Sequence, residues 1–315
     1  MSFHGVEIPF ENETDWLDKR REGIGASDVA GILSVSPYST PFTVWADKVI
    51  GVEKDPTEGM RWGQKLENLV ADEFEEQTGL YIGNRQMLVH HPEYPWAMAT
   101  LDGLEYEGPV ASGIGDNYRA IPFRSLGNYE GKTETLFGRW DEIPDHYQIQ
   151  VQWQLYVTGH DGGHIGCLHG GRQFEVYEFE RDPGLINMIL DRVSEFRGKH
   201  LTGGLDGETP PPPEVDGHQA TTRVIADLWE PEGESVELEP KSVSDLVSLR
   251  LIKAELKRLE DAKKELENRV KASLAEAETG LVDGVPVVTW RKFHRKEYTV
   301  KAGDYRRLNL IKEKE

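Results

Sequence analysis

Residues 129–133 read Tyr-Glu-Gly-Lys-Thr, and the interpretation of the chain turns on this stretch. Alternate residues of a strand share a face, so Glu130 and Lys132 stand side by side on one surface. Upstream, ATLDG at 99–103 reads as a strand-like run ending in an acid, Asp102. A neighbouring strand would bring Asp102 to the same place. Two carboxylates and a lysine suit phosphodiester hydrolysis. The acids hold Mg²⁺, which polarises the phosphate and lowers the pKa of a bound water, while the ammonium orients that water and steadies developing charge. Each residue has a plainer reading. Asp102 fits an Asp-Gly turn, and Glu130 with Lys132 fits a surface ion pair.

Working outward, residues 1–201 read as one mixed α/β domain. A helix starts near Asp15, followed by the small-residue stretch GIGASDVAGIL at 23–33. Leu66, Leu69, Val70 and Phe74 predict a helix over 60–79, with Gly79 as its stop. Strands are predicted around Gln86–His90, Trp96–Leu101 and Asn128–Thr135. A second helix covers 144–158, with Pro144 near its first turn. A hairpin-like pair follows at His164–Leu168 and Phe174–Phe179, then a helix over 184–200. Residues 202–217, with four consecutive prolines at 210–213, read as an extended linker. Beyond it, residues 218–315 form an extension. Its leucine stripe over 243–278 predicts a long amphipathic, coiled-coil-like helix with a role in oligomerisation or partner docking. Asp283-Gly284 marks the turn of a small hairpin. The tail from Lys292 to Lys314 is basic.

The 315 residues carry a net charge of −20, which argues against loose, non-specific binding to nucleic acid. A basic groove can still exist locally, and metal-binding acids add to the negative count. The single cysteine, Cys167, excludes an intrachain disulfide and a multi-cysteine zinc site. His90 and His91 would face opposite ways in a strand, and the remaining histidines show no zinc spacing. Neither a secretion signal nor a membrane span is expected, which points to a cytoplasmic protein.

The stretches RREGIGASDVAGIL, RWGQKLEN, ATLDG, EGKTE and HYQIQVQWQLYVTG occur in an order that resembles the PD-(D/E)XK nuclease superfamily. More closely, it resembles the family of phage lambda exonuclease and YqaJ-type viral recombinases. The likeness spans residues 16–180. It implies a PD-(D/E)XK core: an α/β fold with a mixed central sheet flanked by helices. It also implies a phage-encoded 5′→3′ exonuclease acting on double-stranded DNA ends in the bacterial host cytoplasm. Mg²⁺ is the implied cofactor, with Mn²⁺ as a substitute and two ions at the site. A homo-oligomeric ring, such as a trimer, and a single-strand annealing partner are implied too.

Carried over residue by residue, Asp102, Glu130 and the Gly131 carbonyl match metal ligands. Glu67 matches a helix acid near a second metal, and Lys132 matches the catalytic lysine. Gln150 matches the helix glutamine, while Arg20 and Ser27 match residues that grip the 5′ phosphate. Alternatives remain open at this point. Glu67 also fits a solvated helix acid, Gln150 one of four glutamines on a polar face, Arg20 a surface cation and Ser27 a helix cap.

Three departures stand out. Gly131 replaces a bulky apolar residue, Leu101 precedes Asp102 where many relatives have proline, and Glu107–Gly127 reads as an inserted loop. Two other functions stay open: an endonuclease of restriction or repair type, and a non-catalytic DNA- or partner-binding module.

Overall fold

The computed structural model describes residues 3–52, 57–108, 124–135, 138–202, 208–229, 233 and 235–294. The chain divides into two compact units, Met1–Glu230 and Pro231–Glu315.

The first unit opens with β1 (Val6–Glu7), α1 (Glu13–Arg21), α2 (Ala26–Ile32) and α3 (Pro41–Trp45), which runs on into a π-helical turn over Ala46–Ile50. Then come α4 (Glu58–Thr78), β2 (Leu80–Gly83), β3 (Met87–His90), β4 (Met98–Leu101), β5 (Gly103–Glu107) and β6 (Gly127–Glu134). The series continues with α5 (Asp145–Thr158), β7 (Gly162–His169), β8 (Gln173–Glu180), α6 (Pro183–His200) and α7 (Gln219–Leu228). Most of the predicted elements appear within a few residues of their expected ends. The inserted loop predicted at Glu107–Gly127 falls largely outside the described residues.

The fold is mixed α/β, as expected. Its central sheet has five strands in the order β2-β5-β6-β7-β8, and a smaller sheet has the order β1-β3-β4. Only β6 and β7 pair in parallel within the central sheet; Glu130 lies beside Ile165 and Lys132 beside Cys167. Parallel neighbours require a crossover, and α5 supplies it. Strands β4 and β5 belong to different sheets, so the chain turns from one sheet to the other at Asp102. Gly103 makes that corner possible. A Cβ there would lie 2.2 Å from Ile82 Cγ2, a distance no side chain can occupy.

Helix α5 shows why periodicity alone understates it. Tyr147, Ile149, Val151, Trp153, Leu155 and Val157 are all buried, so the helix is enclosed on nearly every side. Trp153 is 1% exposed, and its indole N–H donates to the Met98 carbonyl at 2.9 Å. That bond ties the crossover helix to the small sheet.

The polyproline stretch does not leave the first unit. Trp45 donates to the Pro210 carbonyl at 3.0 Å, and His200 Nδ1 lies 2.8 Å from the Pro211 carbonyl. A proline-rich backbone makes no internal hydrogen bonds, so its carbonyls are free to accept from the domain. Beyond it, α7 returns to the same unit. Val224 joins the core, and the Thr221 hydroxyl meets that of Thr40 at 2.8 Å. The break between compact units therefore falls at Glu230/Pro231, after α7 rather than before it.

The second unit holds α8 (Pro240–Leu274) and the hairpin of β9 (Thr279–Val282) and β10 (Val285–Thr289). Asp283 and Gly284 take φ of 50° and 82° at the turn, as the Asp-Gly pair predicts. Of the basic tail, only Lys292–His294 lies within the described residues. No helix among the described residues is long and apolar enough to cross a membrane.

Removing the Trp153 side chain should cost about 3–5 kcal/mol, the range for a buried aromatic cut back to alanine. Urea unfolding of Trp153→Ala measures it, and a loss below about 1 kcal/mol would show that α5 is not packed as described.

Candidate active site

Glu130 lies at mid-strand in β6 and is 2% exposed. A buried carboxylate must be satisfied by donors or it destabilises the fold. Three groups converge on this one. Lys132 Nζ and Gln150 Nε2 both donate to Oε1 at 2.5 Å, and Gln154 Nε2 donates to Oε2 at 2.6 Å. Gln150 also accepts from Lys132 at 3.3 Å through its Oε1, so the amide bridges acid and lysine. The Lys132 ammonium sits 4.8 Å above the Tyr147 ring. Tyr147 is anchored in turn by donating to Glu134 at 3.0 Å.

The four glutamines of QIQVQWQ divide by helical position. Gln150 and Gln154, four apart on one face of α5, turn to Glu130. Gln152 faces elsewhere, donating to the Glu180 carbonyl at 2.6 Å and accepting from Asp182 N–H at 2.8 Å. Gln148 donates to the Ile143 carbonyl at 3.3 Å. Gln154 is fully buried, and its Oε1 has no hydrogen-bond partner.

Asp102 arrives from the corner between the sheets. Gly103 pairs with Tyr129, and one step further along that register sets Asp102 opposite Glu130. Its Oδ2 accepts the Gly131 N–H at 2.9 Å. The two acids and the lysine therefore do gather. Burial raises the Asp102 pKa well above the usual carboxylate range, and the nearby Glu130 charge raises it further. Lys132 and the Gly131 N–H oppose that rise, while Glu67 adds to it. Burial disfavours the charged form of Lys132, yet Glu130 and Asp102 together lift its pKa above the ordinary lysine value. The ammonium is thus firmly protonated.

Glu67 lies on α4, half-buried, and accepts a short hydrogen bond from Gln86 Nε2. Its charge reaches both Asp102 and Tyr129. Tyr129 is buried beneath α4 with its hydroxyl unpartnered; burial and then the Asp102 and Glu130 charges keep it un-ionised. A Cβ on Gly131 would meet that hydroxyl at 3.4 Å and Asp102 Oδ2 at 3.7 Å. These are ordinary van der Waals distances, so the surroundings leave room for a Cβ at this position and do not by themselves require the glycine.

Among the described residues, no group of three or more His, Cys, Asp or Glu is gathered tightly enough to hold a metal alone. The donor set still fits a hard divalent cation. Mg²⁺ keeps several waters and takes one or two carboxylates. Asp102 and Glu130 are two acids sharing a buried place with one ammonium.

Arg20 and Ser27 also meet. The guanidinium donates to the Ser27 hydroxyl and stacks 5.2 Å over Trp16. Ser27 stands in the first turn of α2, where Gly25 is the cap and Asp28 bonds back to the Gly25 N–H at 2.9 Å. Burial works to raise the Asp28 pKa, but Lys48 at 2.9 Å and Arg20 bring it down to about 2. Lys48 lies between Asp28 and, at 3.8 Å, Asp47, so the cations beside this helix start are matched by acids.

Sequence reasoning missed Gln154, Tyr147 and Tyr129. The spacing of Gln154 from Gln150 was a usable signal for the first. Nothing in the sequence linked the two tyrosines to Lys132 and Gly131. A separate Ser125–His160–Asn128 chain, with 2.7 Å contacts at both imidazole nitrogens, has the order of a nucleophile relay. Its members are at most 5% exposed, so it reads as a buried polar network.

The YqaJ-like viral recombinase domain matches residues 15–161. The uncharacterized protein YqaJ of Bacillus subtilis (strain 168) is 31% identical over 278 residues, covering 85% of this chain and 80% of that protein. The uncharacterized protein R354 of Acanthamoeba polyphaga mimivirus is 25% identical over 163 residues, 49% of this chain and 29% of that one. Among solved structures, the alkaline exonuclease LHK-Exo from Laribacter hongkongensis superposes with a TM-score of 0.46 at 20% identity, over 60% of this chain and 93% of that one. A phage related exonuclease from Haemophilus somnus 129PT gives 0.41 at 14%, over 57% and 96%.

The pKa of Asp102 has a direct consequence for stability. An acid whose folded pKa is raised costs nothing below its unfolded value near 3.8, then destabilises increasingly as pH climbs toward the folded value. Asp102→Asn keeps an acceptor for the Gly131 N–H and removes the penalty. Without added metal, this variant should melt several degrees above the parent at pH 7–8, and the gap should close near pH 4. A variant that melts lower at every pH would show that Asp102 is not charge-strained.

Proposed function

The chain belongs to the YqaJ-like viral recombinase family, and from that premise we propose that it is a metal-dependent nuclease. It acts as an exonuclease on the ends of linear double-stranded DNA, digesting 5′→3′ to leave single-stranded tails for phage-type recombination. The observation that carries the reading is the convergence of Asp102, Glu130 and Lys132 at one strand edge, with Gln150 bridging acid and lysine.

Asp102, Glu130 and the Gly131 carbonyl are the residues that would hold Mg²⁺ or Mn²⁺, with Glu67 placed on α4 for a second ion. When bound, such a cation polarises the scissile phosphate and makes a water acidic enough to attack near neutral pH. The chain's own groups do the rest. Lys132 stays protonated and offers its N–H bonds to the attacking water and the phosphate oxygens, whose charge grows in the transition state. Gln150 fixes the ammonium, and Gln154 holds the far oxygen of Glu130 so that the carboxylate cannot rotate away. Hydrolysis forms a bond from water oxygen to phosphorus and breaks the bond to O3′, with the proton passing to that leaving oxygen. The Arg20–Ser27 pair supplies a guanidinium and a hydroxyl for a terminal 5′ phosphate. The same reading includes a homo-oligomeric ring closing around the DNA, a single-strand annealing protein as partner, and the cytoplasm of a bacterial host.

Lys132→Ala should lower cleavage of end-labelled linear duplex by about 10²–10³-fold, the usual effect of losing a group that stabilises transition-state charge. Covalently closed circular duplex should survive, and chelation of the metal should stop all digestion. Cutting of the circle would point to an endonuclease, and inactivity of the parent chain in Mg²⁺ and in Mn²⁺ to a binding module. In the same assay, Arg20→Ala should lose preference for 5′-phosphorylated ends while still degrading the duplex. An unaltered preference would remove Arg20 from the site.

A further inference from the structure

Helix α8 is 35 residues long, about 52 Å at 1.5 Å per residue, yet only Leu274 of it is buried. Ile252, Leu256, Leu259, Leu266 and Val270 are each 45–58% exposed. With Leu249 they alternate spacings of three and four, the seam of a coiled coil, interrupted once by Lys263. Such a stripe in water is an unpartnered face. Within its own unit, the β9–β10 hairpin flanks the C-terminal half of the seam. Together they leave an open groove of about 860 Å³ lined by Leu259, Leu266, Val270, Val288 and Trp290.

We propose that this groove receives the N-terminal half of α8 from a second copy of the chain, the two helices running antiparallel. The charges beside the seam choose both the partner and the direction. A parallel pair would set Lys263 against Lys263 inside the seam and Glu255 against Glu260 across it, twice. Like charges in those positions oppose pairing. An antiparallel pair centred at Asp261 puts Lys263 opposite Leu259. There the long aliphatic stem can lie along the seam and the ammonium can reach Glu267, 3.6 Å away in its own helix. That register brings Ile252 to Val270 and Leu256 to Leu266. It also matches Lys253 with Glu267 and Glu255 with Arg269, each twice, against a single like pair at Glu260. The helix is complementary to itself when inverted, which is a reason for the occupant to be another copy. The inference stands apart from the nuclease reading, because no residue of the first unit enters it.

Two measurements on the full-length chain test it. Sedimentation equilibrium should show self-association that Leu256→Glu with Leu259→Glu weakens at least tenfold, with digestion of linear DNA followed in parallel. These substitutions lie on an exposed helix face, so the first unit should fold unchanged. Spin labels at Ser244→Cys then report direction, since the native Cys167 is fully buried. Antiparallel helices in this register hold the two labels about 50 Å apart, whereas parallel helices hold them at roughly 10 Å. A monomeric parent chain, an association indifferent to the double substitution, or a short label distance would each overturn the proposal.

Discussion

A carboxylate in the middle of a buried strand governs this molecule. Glu130 has almost no contact with water, so its charge is tolerated only because the protein surrounds it with donors. Lysine alone would leave one carboxylate oxygen bare. Two amides from the crossover helix complete the shell, and those amides hold α5 against β6 in one rotational setting. Turning α5 by a single residue would carry both glutamines away and leave the charge stranded. The same bonds that satisfy the acid therefore also set the helix phase, and the apolar side chains of α5 must fit around that choice.

The second constraint is the corner at Asp102. A strand that leaves one sheet and enters another must shed its regular pairing for a residue, which frees a backbone N–H on the neighbouring strand. The Asp102 carboxylate takes up that freed donor at Gly131. A carboxylate thus substitutes for a missing piece of sheet, and one hydrogen bond ties Asp102 to the turn between the sheets. The steric demand of Gly103 against Ile82 follows from the close packing at this turn.

Much of this was readable beforehand, for identifiable reasons. Alternation along a strand placed Glu130 with Lys132, and the leucine and phenylalanine spacing revealed α4. The Asp-Gly pair gave away the turn of the C-terminal hairpin. What could not be read depended on contacts distant in sequence. Strand β5, GLEYE, is buried on both faces up to its last residue, so it shows no alternation. Helix α7 follows a run of prolines and reads as the start of the C-terminal extension until Thr221 finds Thr40. Gln154 resembles its neighbouring glutamines apart from its spacing of four from Gln150, and the burial of Glu130 shows what that pair serves.

The parallel pairing of β6 with β7 bears on how the protein comes into being. Adjacent parallel strands joined through an enclosed helix cannot zip from a local turn; the intervening chain must collapse into place before the ladder closes. Helix α5 is enclosed on nearly every side, so it gains most of its stability as that closure occurs. The donors for Glu130 and the ladder beneath Lys132 consequently depend on the same closure. A chain in which that closure has not occurred carries every residue of the cluster and none of its geometry.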